Sequence, residues 1–285
     1  MLRWLFGRGA SRRKVARELH RIDPEAWRAA VKRHAFLAGL SAHEDEALRQ
    51  RTAWMLASKT FSGAHGFEVT DEIMFSIALQ AALPILYLDP RLYEGWVEII
   101  VYPGGFLIPR SDVDESGVVH EFVQEASGEA WEGGPVILSW EHSSTWSSPA
   151  GVTGAMNVVI HEFAHKLDLY GSEADGMPHL GAHPELSARH WQRVLHASFE
   201  WFNHRLDEVE DAIPPDIDPE SDEAAPWYER LPLDPYAATD VAEFFAVSSE
   251  AFFVHPGPMM RDLPEWYGLL KAYYRQDPGS RLGAD

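Results

Sequence analysis

The chain has 285 residues, of which 46% are hydrophobic and 11 are Trp, enough apolar material for a substantial core and too much for wholesale disorder. A formal charge of −20 argues against nucleic acid as the main partner, because phosphate binding needs clustered Lys and Arg. With no Cys, disulfides and thiolate ligands are excluded, and any metal must be held by His, Asp or Glu.

The opening MLRWLFGRGASRRK puts its apolar residues, Trp4, Leu5 and Phe6 among them, ahead of a basic cluster. That order is the reverse of a secretory signal, and no later run approaches the ~18 apolar residues that span a bilayer. Cytoplasmic residence is the expectation, with a weak amphipathic contact of Trp4, Leu5 and Phe6 with a membrane left open. Residues 24 to 58 read as helical, with Pro24 suited to a first turn and a capping box at Ser41 and Glu44. A second helix is predicted from Thr70 to Leu83, where Ile73, Ile77 and Ala81 repeat at helical spacing. Residues 1–95 are therefore expected to form a helical N-terminal portion packed on a second portion, 96–285, with the two making one compact unit.

From Trp96 the pattern changes to short β-branched runs, WVEIIVYP, VVHEFVQEA and PVILSW, separated by Gly and Pro. They predict a small, mainly antiparallel sheet. An extended peptide can add itself as a strand along such a sheet's edge, although the sheet can equally serve only to pack a helix. In the middle run HEFVQ begins like a metal motif, but Gln124 stands where a second histidine is needed, and strand periodicity would keep such a pair apart.

The next run carries the chemistry. In HEFAHKLDLYG, His161 and His165 lie four residues apart, so on a helix turning ~100° per residue both imidazoles project from one face. The preceding MNVVI and the residues Phe163, Ala164 and Leu167 make that helix apolar on several sides. Buried histidines need partners, and a shared Zn²⁺ supplies one. Gly171 and SEADG end the helix, and Leu186 to Leu206 resumes helical spacing. Between Asp207 and Glu223 stand nine Asp or Glu with no Lys or Arg, which predicts a solvated acidic loop over 207–228. The last informative run, DPYAATDVAEFFAVSSEAFFVHP, reads as a buried helix capped by Asp240 and ending near Pro256.

A catalytic zinc takes three protein ligands and leaves a position for water. His161 and His165 supply two. Glu243 is favoured for the third, because it opens a second buried helix that can cross the first. Glu250, seven residues later on the same face, and Asp168 are the alternatives, each also able to orient a ligand instead. Glu162 is turned ~100° from the His pair, beside the metal, where a carboxylate serves as general base toward a zinc-activated water. Tyr236, seven residues before Glu243, can reach an oxyanion from the turn that starts the second helix, although the residues alone favour a packed turn tyrosine.

With these motifs together, HEFAHKLD, GSEADGMP and DPYAATDVAEFFAVSSEAFF, and with GEAWEGGPVILSW and KTFSGAHGF upstream, the chain resembles the Mlc titration factor A (MtfA) family of bacterial metallopeptidases. The resemblance runs from about Trp54 to Pro278 and extends, in HEFAHKLDLYG and the tyrosine-to-AEFF spacing, to lethal-factor-like protease domains of the gluzincin type. The acidic insert departs from it. The resemblance implies an α+β, zincin-like fold in which His161, His165 and Glu243 bind one Zn²⁺, Glu162 is the base and Tyr236 stabilises the transition state. It further implies a cytoplasmic protein with aminopeptidase-like activity on small peptides and a partner similar to the repressor Mlc. Surface residues decide partner binding, so that last expectation is the least transferable. The competing class is a regulatory protein that sequesters a transcription factor around a structural or vestigial zinc, and a third is a zinc amidase acting on other amides.

Overall fold

The computed structural model describes residues 10–113, 119–144, 157–171, 173–219 and 221–283. Trp4, Leu5, Phe6 and Met156 lie outside them. Helix α1, Arg12–Arg21, is capped by Ser11, and α2, Pro24–Arg33, begins on an Asp23 cap with Pro at its first turn. Helix α3, Ala42–Ser58, starts at the capping box of Ser41 and Glu44. The stretch 24–58 is thus two helices rather than one. Between them Gly39 takes φ 76°, and a Cβ there would meet the Arg281 carbonyl at 2.6 Å, so the chain turns where only glycine fits. Helix α4, Asp71–Ala82, follows a Thr70 cap at the expected place and is buried along most of its length.

The strands are β1, Thr60–Gly63; β2, Glu98–Tyr102; β3, Phe106–Val113; β4, Val119–Ala126; β5, Gly128–Ala130; and β6, Val136–Ser139. They form a four-stranded sheet in the order β1-β2-β6-β5 and a separate β3–β4 hairpin. The four-stranded sheet is mixed, with β1–β2 and β2–β6 parallel and only β5–β6 antiparallel. The expected mainly antiparallel sheet is therefore corrected. The chain leaves β1 through α4 before returning to β2, and leaves β2 through the hairpin before returning to β6; such long crossovers permit parallel pairing. The HEFVQ segment lies in β4, where His120 faces Asp112 across the hairpin in a strand, not a helix.

After α5, Trp140–Ser144, comes α6, Val158–Asp168, then α7, Ala188–Glu210, and the short α8, Ala225–Tyr228. The chain ends in α9, Val241–Val254, α10, Pro256–Asp262, α11, Pro264–Tyr274, and α12, Pro278–Leu282. One hydrophobic cluster contains Trp27, Leu48 and Ile77 from the N-terminal helices, Ile99 and Leu138 from the sheet, and Phe163, Phe244 and Trp266 from the C-terminal helices. The acidic stretch is also corrected. Its first four residues belong to α7, and Val209, Ile213 and Ala224 are buried while the described acids around them face solvent. Charge alone predicts solvation; the interspersed apolar residues anchor the stretch nonetheless. Among the described residues no helix is long and apolar enough to cross a membrane.

Candidate metal centre

Helix α6 enters the core because Val158, Val159, Ile160, Phe163, Ala164 and Leu167 are all buried against the cluster. Its N-cap is Asn157, whose side chain accepts the Ile160 N–H at 3.0 Å. One face carries His161 and His165, whose Nε2 atoms lie 3.2 Å apart. Helix α9 packs on α6 and starts from an Asp240 cap that accepts the N–H groups of Ala242 and Glu243 at 2.8 and 2.9 Å. That cap sets the first turn so that Glu243 Oε2 reaches His161 Nε2 at 3.2 Å and His165 Nε2 at 3.3 Å.

Three donor atoms thus face one another with little to share. Two neutral imidazoles can place only one proton between facing nitrogens, whereas a cation would satisfy both and the carboxylate at once. The donor set of His161, His165 and Glu243, all within 4.8 Å of one another, can hold a metal ion, and two imidazoles with a carboxylate suit Zn²⁺. Burial pushes the Glu243 carboxyl up, but hydrogen bonds from His161 and His165 outweigh it and hold the group well below the ordinary carboxylate range.

Glu162, 4% exposed, lies beside the donor set, close enough for the charges of His161, His165 and Glu243 to act on it. Its Oε2 is buried without a hydrogen-bond partner among the described residues. Burial raises its pKa, opposed by the nearby imidazoles of His161 and His165. An unpaired carboxylate oxygen at this depth is costly unless a water or substrate group completes it. The backbone of Gly128 in β5 packs directly against this side chain: a Cβ there would stand 2.3 Å from Glu162 Oε1 and 2.6 Å from its Cγ. One turn further along α6, buried Lys166 donates to the carbonyls of Trp131 and Gly134, in the turn between β5 and β6. Lys166 and Gly128 together pin β5 lengthwise on the helix. The sequence reading missed both, because neither residue type signals a contact made across the fold.

Strand β5 is the edge of its sheet. Ser139 N donates to Ser127 O, Trp131 N donates to Pro135 O, and Glu129 pairs with Ile137, so Ser127 O, Trp131 N and the backbone of Glu129 face the β6 side. The N–H and C=O of Gly128 and Ala130 therefore point to the open side. Tyr236 sits in a 3₁₀ turn, Pro235–Ala238, just before α9. Its ring centroid is 6.2 Å from that of His161, and the residue is 37% exposed.

The other two acids considered for the metal are placed apart from the donor atoms. Asp168 is fully buried and accepts the Gly176 N–H at 2.8 Å, while Gly176 O accepts the indole N–H of Trp191 at 2.8 Å. Gly176 packs against the Val241 backbone, so Asp168 ties the loop after α6 to the start of α9. Burial raises its pKa to about 6. Glu250 lies behind His161, with Oε2 3.8 Å from Nδ1, on the side away from Glu243.

Residues 8–275 match the family described as glucose-regulated metallo-peptidase M90. The chain belongs to the M90 metallo-peptidase family. Its similarity to proteins named Mlc titration factor A also places it in that family. The one from Pectobacterium atrosepticum is 34% identical over 259 residues, covering 90% of this chain and 88% of the relative. Those from Serratia proteamaculans and Yersinia pestis are 34% and 32% identical over 247 residues, each covering 86% of this chain and 85% and 83% of the relative. A metallo-peptidase family accords with the donor set carried by α6 and the first turn of α9.

In this M90 member Gly128 is the position at which one methyl group reports on the site. Gly128→Ala is expected to leave the fold and metal content intact but to push Glu162 aside, lowering turnover at least ~10-fold, since a misplacement of about 1 Å can cost more. Parallel kcat and zinc measurements check it, and an unchanged kcat would show that Glu162 tolerates displacement.

Proposed function

We propose that this protein is a zinc-dependent peptidase, aminopeptidase-like in action, with a zincin-like core in which His161, His165 and Glu243 hold one Zn²⁺. The observation that carries the reading is the approach of those three donor atoms to 3.2–3.3 Å beside a buried carboxylate with an unfilled oxygen. A Zn²⁺ held there would supply Lewis acidity, polarising a water and the scissile carbonyl. The remaining work falls to the protein. Glu162 accepts the proton of the attacking water and returns it to the leaving amine. Gly128 and Ala130 offer backbone groups to an extended substrate, aligning its scissile bond along α6. Tyr236, from its turn beside His161, donates its phenolic hydrogen to the oxyanion of the tetrahedral intermediate.

A cytoplasmic setting and a partner resembling the repressor Mlc are part of the same proposal. The latter follows the name Mlc titration factor A borne by the relatives, a name that describes binding rather than hydrolysis. It also supports a second reading, in which binding is the whole function and hydrolysis is lost. The two readings separate on a panel of aminoacyl anilides with free and blocked amines. The zinc-loaded protein is expected to cleave only the free-amine members, and Tyr236→Phe to lower kcat ~10²–10³-fold with KM unchanged. Absence of cleavage by a zinc-loaded chain would leave the binding reading alone.

A further inference from the structure

Behind His161 runs a buried polar chain that the proposed reaction does not use. Glu250 stands two turns beyond Glu243 on the same face of α9 and is 6% exposed. Its Oε1 accepts the backbone N–H of Asn157, the residue that caps α6. Its Oε2 faces His161 Nδ1 at 3.8 Å, and no other described group hydrogen-bonds that nitrogen. Asn157 is braced in turn: its Nδ2 donates to Gln80 Oε1 at 2.8 Å, and Gln80 Nε2 donates to Ser76 Oγ at 3.3 Å from within α4. Gln80 and Ser76 are 2% and 4% exposed, so the α4 end of the chain is buried, while Asn157 in its middle is half-buried.

A neutral imidazole carries one proton, and the nitrogen that keeps it is set by which one faces an acceptor. For His161, Nε2 points to His165 and Glu243, and Nδ1 points to Glu250. We infer that Glu250 is a positioning residue, accepting the Nδ1–H of His161 so that the Nε2 lone pair is presented to the metal. This rests on the reading that His161 holds zinc. At 3.8 Å the contact is longer than a hydrogen bond, and a shift of ~1 Å by ring or carboxylate closes it. The carboxylate does not turn away, because Asn157 holds its other oxygen and Gln80 holds Asn157. Helix α4, far from the site in sequence, thereby sets the tautomer of a residue on α6.

The isosteric change Glu250→Gln tests this sharply. The fixed N–H of Asn157 demands an oxygen, so the amide must turn its NH₂ toward His161 Nδ1. That selects the tautomer protonated on Nε2, which cannot bind a metal there. The full-length variant is expected to bind Zn²⁺ at least ~10-fold more weakly than wild type in competition with a chromophoric chelator. In ¹⁵N-histidine spectra of zinc-loaded wild type, the His161 Nδ1–H, which any Nε2-bound zinc requires, is expected to show the far-downfield proton signal of a hydrogen bond to a carboxylate and to be protected from solvent exchange, a readout that a merely structural role would not move. Zinc affinity of Glu250→Gln within twofold of a normally binding wild type overturns this inference alone. A wild-type chain that binds no zinc overturns the metal reading and this inference with it. Should the variant not fold, the wild-type spectrum decides: a His161 Nδ1–H that lacks the downfield shift or exchanges freely overturns the role.

Discussion

Glu162→Gln is expected to lower peptide hydrolysis by ~10²–10⁴-fold while leaving zinc content and fold unchanged. The side chain is 4% exposed and packed under the Gly128 backbone, so an isosteric amide fits the same space. What the amide lacks is a lone pair basic enough to take a proton. The buried Oε2, without a partner among the described residues, is where a water would sit, and an amide NH₂ there would donate a hydrogen bond to that water instead of taking its proton. Glu162 lies beside the donor set of His161, His165 and Glu243 without belonging to it, so metal analysis should return one zinc per chain in both proteins. Hydrolysis within tenfold of wild type by a zinc-loaded variant would remove Glu162 from the reaction. A repressor pull-down with the same variant separates binding from hydrolysis, since no surface residue is altered.

Stripping the metal is expected to have the second large effect, on stability as well as activity. The two imidazoles and the Glu243 carboxylate converge from two helices, and a cation they shared would clamp α6 to α9. A ligand that binds only the folded state at about a thousand times its Kd adds ~4 kcal/mol, which raises the melting temperature of a domain this size on the order of 10 °C. Differential scanning fluorimetry with and without chelator measures it, and zinc added back should restore both melting temperature and hydrolysis. Glu243→Ala should melt near the chelated wild type and gain nothing from added zinc. A melting temperature indifferent to zinc in the wild type would argue that these three donors hold no metal.

These expectations draw unequally on sequence and on tertiary structure. Helical spacing places His161 and His165 on one face because 100° per residue is a local rule, and the caps at Ser41 and Asp240 were legible for the same reason. The choice among Glu243, Glu250 and Asp168 was not local. All three are acids on or near buried helices, and only the way α9 meets α6 puts Glu243 Oε2 within 3.3 Å of both Nε2 atoms, Glu250 behind His161, and Asp168 on the Gly176 loop.

The strands show the same division. Short β-branched runs marked what became β2, β4 and β6, but TFSG in β1 has no such pattern, and strand direction depends on crossovers that periodicity does not record. The acidic run was misread because composition averages over Val209 and Ile213, whose burial depends on what lies beneath them. By itself the sequence determined a zinc-type motif on a buried helix, because helical geometry repeats within a single turn. Only the tertiary structure decided which distant acid faces that motif, which glycine covers its glutamate and which strand edge lies open beside it, because those are contacts between elements whose separation in the chain carries no information about their distance in space.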